Sequence, residues 1–394
     1  MKKIMQGFPV PPNRRVPHAD WDRAPWNRWS FQNVRQMVPT TEVWRGGGPQ
    51  WELPRDERDL GKVAFSSAGK TLTLQDWIDD SYTDGIAVLH RGAIVFEQYH
   101  NDMTPRTLHL SQSVAKSVVA AVAAILIGRG LIETGALVTD YLPELEQTAW
   151  KGATLQQVLD MTTGVVYNED YEALDSDIAR TDIASGWKRP DPGCDAPACI
   201  WDQILGLTKT DRAHGAKFKY RSIETDVLAH CLERVTQTRL AELVSRELWQ
   251  PLGCEESASF TVDSAGYALA CGGFNATLRD YARFGQMLLQ RGAVRGRQIV
   301  PAAWIDDIQN ADHGLFGEPY TEAAPNGAYR NQFWVEDVER RAFMARGVFG
   351  QLIYVDPDHD LVVTKLSSWP EFTSIPRLKA ALGAIHAVAA HLLR

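Results

Sequence analysis

One stretch limits what this chain can fold into more than any other. Leu110 to Gly130 reads Leu-Ser-Gln-Ser-Val-Ala-Lys-Ser, then an unbroken apolar run. From Val118 to Ile127 no side chain is polar. A helix that is apolar on every side must be buried, and this one is too short to span a bilayer. Ser111 is predicted to cap it, and Gly130 suits the position that ends it. Ser113 then falls in the first turn, with Lys116 one turn later on the same face. A lysine at the mouth of a buried helix loses hydration, which disfavours its charged form and leaves a usable base. The N–H of Ser113 has no intrahelical partner and is free to hold an oxyanion. The plain alternative is a polar first turn on a core helix. The bare Ser-x-x-Lys string does not decide between them, because it recurs at Ser67/Lys70 and Ser185/Lys188, both in loop-like settings.

The 394 residues suffice for two or three folding units, and 44% hydrophobic with 23% charged residues is ordinary for a soluble globular protein. A net charge of −8 argues against a nucleic-acid partner or an anionic membrane surface. Met1-Lys2-Lys3 has no apolar stretch behind it, and Gly7, Pro9, Pro11 and Pro12 interrupt the residues after it. No Sec-type signal is visible, so a cytoplasmic location is expected. Five cysteines, an odd number, make a disulfide framework improbable. Cys194 and Cys199 suit a loop disulfide or half a metal site, but no second pair stands at zinc spacing. Ala64–Thr71 fits a relaxed phosphate-loop string without the strand before and helix after that such a loop needs. No metal or other cofactor is therefore expected.

Taken in order, residues 1–60 are rich in Pro, Arg and Trp, which predicts an arm packed on the body, with helical pieces such as Asn27–Met37. Gly85–His100 reads as a β-hairpin turning at His90-Arg91-Gly92. Thr154 caps a short helix running to Met161. Thr162–Pro192 is loop-like and carries Tyr167, Tyr171, Asp182 and Trp187, a composition suited to shaping a binding site. Helices are expected after Ser222, over Leu240–Leu248 and over Leu278–Gln290. Strands follow at Gln332–Val338, Gly350–Val355 and Leu361–Leu366, then a helix over Pro376–Leu393. Strands at both ends with helices between predict an α+β fold, an antiparallel sheet flanked by helices. The sheet domain is assigned to residues 61–150 and 265–394, and an inserted, mostly helical subdomain to 151–264.

A serine–lysine site needs a group to carry the proton to the leaving atom, and a tyrosine beside the lysine suits it. Tyr220, in Tyr-Arg-Ser222, is the candidate. The order Ser113-x-x-Lys116, Tyr220-x-Ser222, then a C-terminal strand pair resembles the serine β-lactamases and penicillin-binding-like hydrolases. Thr154–Gly164, Pro251-Leu-Gly253 and Gly272–Gly285 are similar to that family's strings, and the likeness covers about residues 80–394. Tyr167–Tyr171, Ala184–Trp187, Thr225–Ala229 and Val363–Pro370, with Trp21–Trp29 upstream, resemble its 6-aminohexanoate-dimer hydrolase branch.

The resemblance implies a β-lactamase-like fold, no cofactor, a small-molecule amide or ester substrate, and room for a homodimer. It implies hydrolysis of short linear amides through an acyl-enzyme, with carboxylesterase activity beside it. Ser113 would be the nucleophile, Lys116 the base and Tyr220 the proton shuttle. The N–H groups of Ser113 and Val348 would hold the oxyanion. Tyr171 would bond the leaving amine, Asp182 would hold a substrate ammonium, and Trp187 would close over the ligand. Ser222, Trp334, Arg346 and Phe349 would complete the lining. Two departures stand out. The family's Lys-Thr-Gly motif is replaced by Ala345-Arg346-Gly347, and Phe349 stands where that branch has a histidine. A carboxylesterase or weak β-lactamase with the same chemistry, or a binding protein that keeps the fold without catalysis, are the other readings of these residues.

Overall fold

The apolar run forms helix α1, Val114–Gly128, in a computed structural model that describes residues 4–193 and 195–394. Every side chain from Val114 to Leu126 is buried, and Gly130 ends the helix in the left-handed region at φ 70°. The start differs from expectation. Gln112 takes a φ of 50° and breaks the helical path, so Ser113, not Ser111, occupies the cap position. The Ser111 hydroxyl instead donates to the Gln112 carbonyl at 3.2 Å.

Seven antiparallel strands form the main sheet. In chain order they are β1 (Thr83–His90), β2 (Ala93–Tyr99), β3 (Ala328–Arg330), β4 (Phe333–Val335), β5 (Phe343–Gly347), β6 (Gln351–Asp356) and β7 (Leu361–Ser367). Their spatial order is β3-β4-β5-β6-β7-β1-β2, so the two ends of the chain meet where β7 pairs with β1. The β1–β2 hairpin turns through Arg91 and Gly92, both at positive φ. Side chains alternate across the sheet: Ala87 and Leu89 of β1 join the core around α1, whereas Ile86 and Val88 join the one under the C-terminal helix. Helix Leu278–Leu289 packs so tightly on the first face that a Cβ on Gly285 would lie 2.6 Å from Val362. Helix Ile375–Leu392 covers the second face.

The N-terminal segment is bound into the body. It contains helix Asn27–Ser30 and a 3₁₀ turn at Val34–Gln36, and its strand Thr40–Val43 pairs with Ala258–Thr261 in a second, four-stranded sheet. Ala64–Ser67 and Lys70–Thr73 form a hairpin, which removes the phosphate-loop reading. The 162–192 segment is not wholly a loop. Ser176 caps a helix, α2 (Asp177–Ala184), by accepting from the Ala179 N–H at 3.2 Å. Cys194 lies outside the described residues; Cys199, Cys231, Cys254 and Cys271 are buried thiols. Among the described residues no helix is long and apolar enough to cross a membrane.

Candidate active site

The left-handed turn at Gln112 lifts Ser113 off the end of α1 and into a cleft. Lys116, 1% exposed and one turn on, donates from Nζ to Ser113 Oγ at 2.9 Å and to the Cys271 carbonyl at 2.6 Å. The backbone that carries this carbonyl is anchored by Asp226, whose carboxyl accepts the Ala270 and Cys271 N–H groups at 2.9 and 3.3 Å. Tyr220 arrives from the segment before helix Ile223–Thr236, its ring centroid 5.2 Å from Lys116 Nζ. Its hydroxyl interacts with both Lys116 and Ser113. The Ser113 hydroxyl, the Lys116 amine and the Tyr220 phenol thus lie together, two from one helix turn and the third from a distant segment. The rival strings do not: Ser67 and Lys70 face each other across a hairpin turn, and Lys188 pairs with Asp22.

The strand end opposite supplies the rest. Gly347 packs so closely on the elbow that a Cβ there would stand 2.5 Å from the Ser111 carbonyl and 3.0 Å from the Ser113 nitrogen. Only glycine allows that approach. Val348 follows as the first residue of the turn Val348–Gly350, so its N–H has no acceptor within that turn. Ser113 and Val348 both border the space in front of the elbow.

Two spaces open from Ser113. The smaller chamber, about 40 Å³, is lined by Asp22, Asp182, Trp187, Ser222 and Phe349 among others. The larger, about 470 Å³, carries Tyr220, Trp334 and Arg346. Tyr171, Val348 and Phe372 border both. Trp187 is a fixed wall, with Nε1 donating to Thr261 Oγ1 at 3.0 Å and its carbonyl accepting from Trp21. Phe349 is buried against Phe31 and Phe372. Trp334 stacks on Tyr220, centroids 5.4 Å apart. Tyr171 stacks on Phe372 and donates to Glu169. The Ser222 N–H and hydroxyl also go to Glu169. Sequence analysis gave no role to Glu169, Asp22 or Asp226, although each lies in a string it quoted, Tyr167–Tyr171, Trp21–Trp29 and Thr225–Ala229. Asp226 carried a further signal, four residues past Ser222 and so on the same helical face.

The electrostatics correct one expectation. Burial drives the Lys116 ammonium down, as foreseen, but Tyr220, then Cys271 and Glu169, pull the other way and leave its pKa above the ordinary lysine value. The Tyr220 phenol is also raised, chiefly by burial, with Lys116 opposing. The two groups therefore titrate as a unit that holds both protons at neutrality, and one must leave before the pair can act as a base. Asp182 is pushed up to about 8 by burial and then by Asp22, against Lys188 and Arg23. Burial likewise raises Asp226 to about 6. Among the described residues no cluster of three or more His, Cys, Asp or Glu groups could hold a metal ion.

The Beta-lactamase family signature matches residues 78–387. A 6-aminohexanoate-dimer hydrolase of Paenarthrobacter ureafaciens is 34% identical over 353 residues, 89% of this chain and 88% of that one. A solved structure from Bacillus anthracis, provisionally assigned as a 6-aminohexanoate-dimer hydrolase, superposes with a TM-score of 0.89 at 30% identity, covering 97% of this chain and 98% of the other. EstCE1, described as a hydrolase with promiscuous acyltransferase activity, shares the fold, with a TM-score of 0.61 at 16% identity over 78% of this chain and 96% of its own.

Proposed function

The chain belongs to the beta-lactamase family and is a serine hydrolase, and on that premise we propose that it cleaves short linear amides bearing an ammonium group, and esters as well, through an acyl-enzyme on Ser113. The observation that carries this is the 2.9 Å bond from Lys116 Nζ to Ser113 Oγ at the head of a buried helix, beside Tyr220 and an acid-lined chamber. The likeness to 6-aminohexanoate-dimer hydrolase supports the choice of amide.

In this mechanism the Lys116–Tyr220 pair, having lost one proton, takes the hydroxyl proton as Ser113 Oγ attacks the carbonyl carbon. The tetrahedral oxyanion lies between the N–H groups of Ser113 and Val348, each contributing about 3–4 kcal/mol as such donors do elsewhere. Tyr220 then passes a proton to the leaving nitrogen, and the C–N bond breaks. Water, deprotonated by the same pair, attacks the ester carbonyl and frees Ser113. Asp182, ionised when it meets a cation, holds the ammonium end in the smaller chamber, and Tyr171 orients the scissile amide.

The test is hydrolysis of the linear 6-aminohexanoate dimer beside p-nitrophenyl acetate, with fluorophosphonate labelling of Ser113. Cleavage of both, with loss of both in Ser113→Ala, is the expected result. Label on Ser113 with ester cleavage alone would make the protein a carboxylesterase. Absence of label together with absence of turnover would make it a binding protein.

A further inference from the structure

A second large cavity lies apart from the reaction site. It holds about 750 Å³ and opens between the N-terminal arm around Trp29–Gln36, the 101–108 segment and the four-stranded sheet. It shares no lining residue with either space at Ser113. Its volume falls in the range of small-molecule sites.

The sheet sets what forms the floor. Strands Ala258–Thr261 and Phe274–Ala276 pair with Ser259 opposite Asn275 and Phe260 opposite Phe274. Side chains alternate along a strand. Phe260 and Phe274 pack on each other in the core, with Trp249 against Phe274. Ser259 and Asn275 therefore take the other face, where both are buried and border the cavity. Asn275 Nδ2 donates to the Gly273 and Ser259 carbonyls at 2.9 and 3.4 Å, which fixes the amide orientation. The remaining Asn275 Oδ1 and the Ser259 Oγ have no hydrogen-bond partner among the described residues. A buried polar atom left unpaired is costly, and here two of them stand on facing positions of one ladder. A single ligand hydroxyl can serve both, donating to Asn275 Oδ1 and accepting from Ser259 Oγ.

Towards the mouth the wall is amide-rich and then positive. Gln32 and Gln36 each give an amide N–H to the arm or the 101–108 segment, at the Asn33 side chain and the Asn101 carbonyl, so their oxygens can accept from further hydroxyls. Arg28, Arg35 and Arg106 line the cavity against one acid, the exposed Asp102. Arg28 is neutralised by Asp84 at 3.0 Å. Arg106 gives its Nε to Glu256, and Arg35 is exposed at the rim. A guanidinium binds a phosphate at two points, and two of them at the mouth suit a dianion.

We propose that this cavity is a second binding site, for a sugar or polyol phosphate. One ligand hydroxyl occupies Ser259 and Asn275, and the phosphate lies at Arg35 and Arg106. The site does not depend on what Ser113 cleaves.

Calorimetric titration of the full chain with glycerol 3-phosphate, ribose 5-phosphate and glucose 6-phosphate tests this, each beside its unphosphorylated parent and inorganic phosphate. At least one ester should bind about 10-fold more tightly than both its parent and inorganic phosphate. In the double variant Arg35→Gln, Arg106→Gln that ester should come within about 3-fold of its parent. Ser259→Ala should weaken ester and parent alike, by about 5-fold, with no fall in melting temperature because the hydroxyl has no partner to lose. Failure of all three esters to bind overturns the proposal, and so does binding that survives these substitutions. Should the variants fail to fold, a crystal structure of the wild-type protein soaked with the three esters decides. A ligand hydroxyl on Ser259 and Asn275 supports the proposal, whereas water alone there, or an ester placed elsewhere, overturns it.

Discussion

At the scale of single residues the chemistry rests on where protons reside. Lys116 and Tyr220 are both held above their ordinary values, so the pair is fully protonated at neutrality and inactive as a base. The kcat/KM for an uncharged ester should therefore rise with pH above neutrality, and a profile flat from pH 6 to 10 would contradict the pairing. Lys116→Met should lower that rate about 10³-fold, the usual worth of a positioned base. Asp182 gives the second pH effect. With its pKa at about 8 the carboxyl is neutral below that pH and ionised above it. An ammonium substrate binds the ionised form, so its KM should fall as pH rises through 8, while the KM of the N-acetylated analogue should not move. Sequence alone showed that Ser113 and Lys116 share a helical face, because the spacing fixes it. The direction of the Lys116 shift was hidden: burial was legible, but the opposing groups come from distant parts of the chain, at Glu169, Tyr220 and Cys271.

At the scale of elements, the site is an elbow pressed against a strand end. Gln112 turns α1 into the cleft, and Gly347 lets β5 approach within contact of that turn. Gly347→Ala would force the two apart and carry the Val348 N–H away from the proposed oxyanion position. A displacement of that size should cut kcat about 10²-fold with little change in the melting temperature, measurable by steady-state kinetics beside thermal denaturation. An unchanged kcat would mean that Val348 is not a donor. Long periodic elements were legible in the sequence: α1, the β1–β2 hairpin and the C-terminal helix lie within a few residues of expectation. Strand β5 was missed because Phe343-Met-Ala-Arg-Gly347 shows no clean alternation, being buried on both faces apart from its end. Helix α2 was missed because its Ser176 cap stands in a polar stretch that reads as a turn.

At the scale of the whole molecule, the N-terminal arm is part of the site rather than an appendage. Trp21 is fully buried, donating to the Trp187 carbonyl at 3.0 Å and meeting that ring edge-on at 5.1 Å. Asp22 lines the acid chamber, and Asn27 donates to the Trp369 carbonyl at 2.7 Å. Trp21→Ala should cost about 3–5 kcal/mol in urea denaturation and raise the KM of ammonium substrates, since the wall beside Asp182 loses its support. The tryptophan-rich composition announced that this segment is packed. Which groove it fills could not be read, because its partners Trp187 and Trp369 lie far along the chain. The central claim is that one buried helix end supplies the nucleophile, and intact-mass and peptide analysis of the protein quenched during turnover of a slow ester tests it most directly. An acyl group on the peptide carrying Ser113, absent in Ser113→Ala, is the predicted result. An acyl group on any other residue, or turnover that persists in Ser113→Ala, would contradict it.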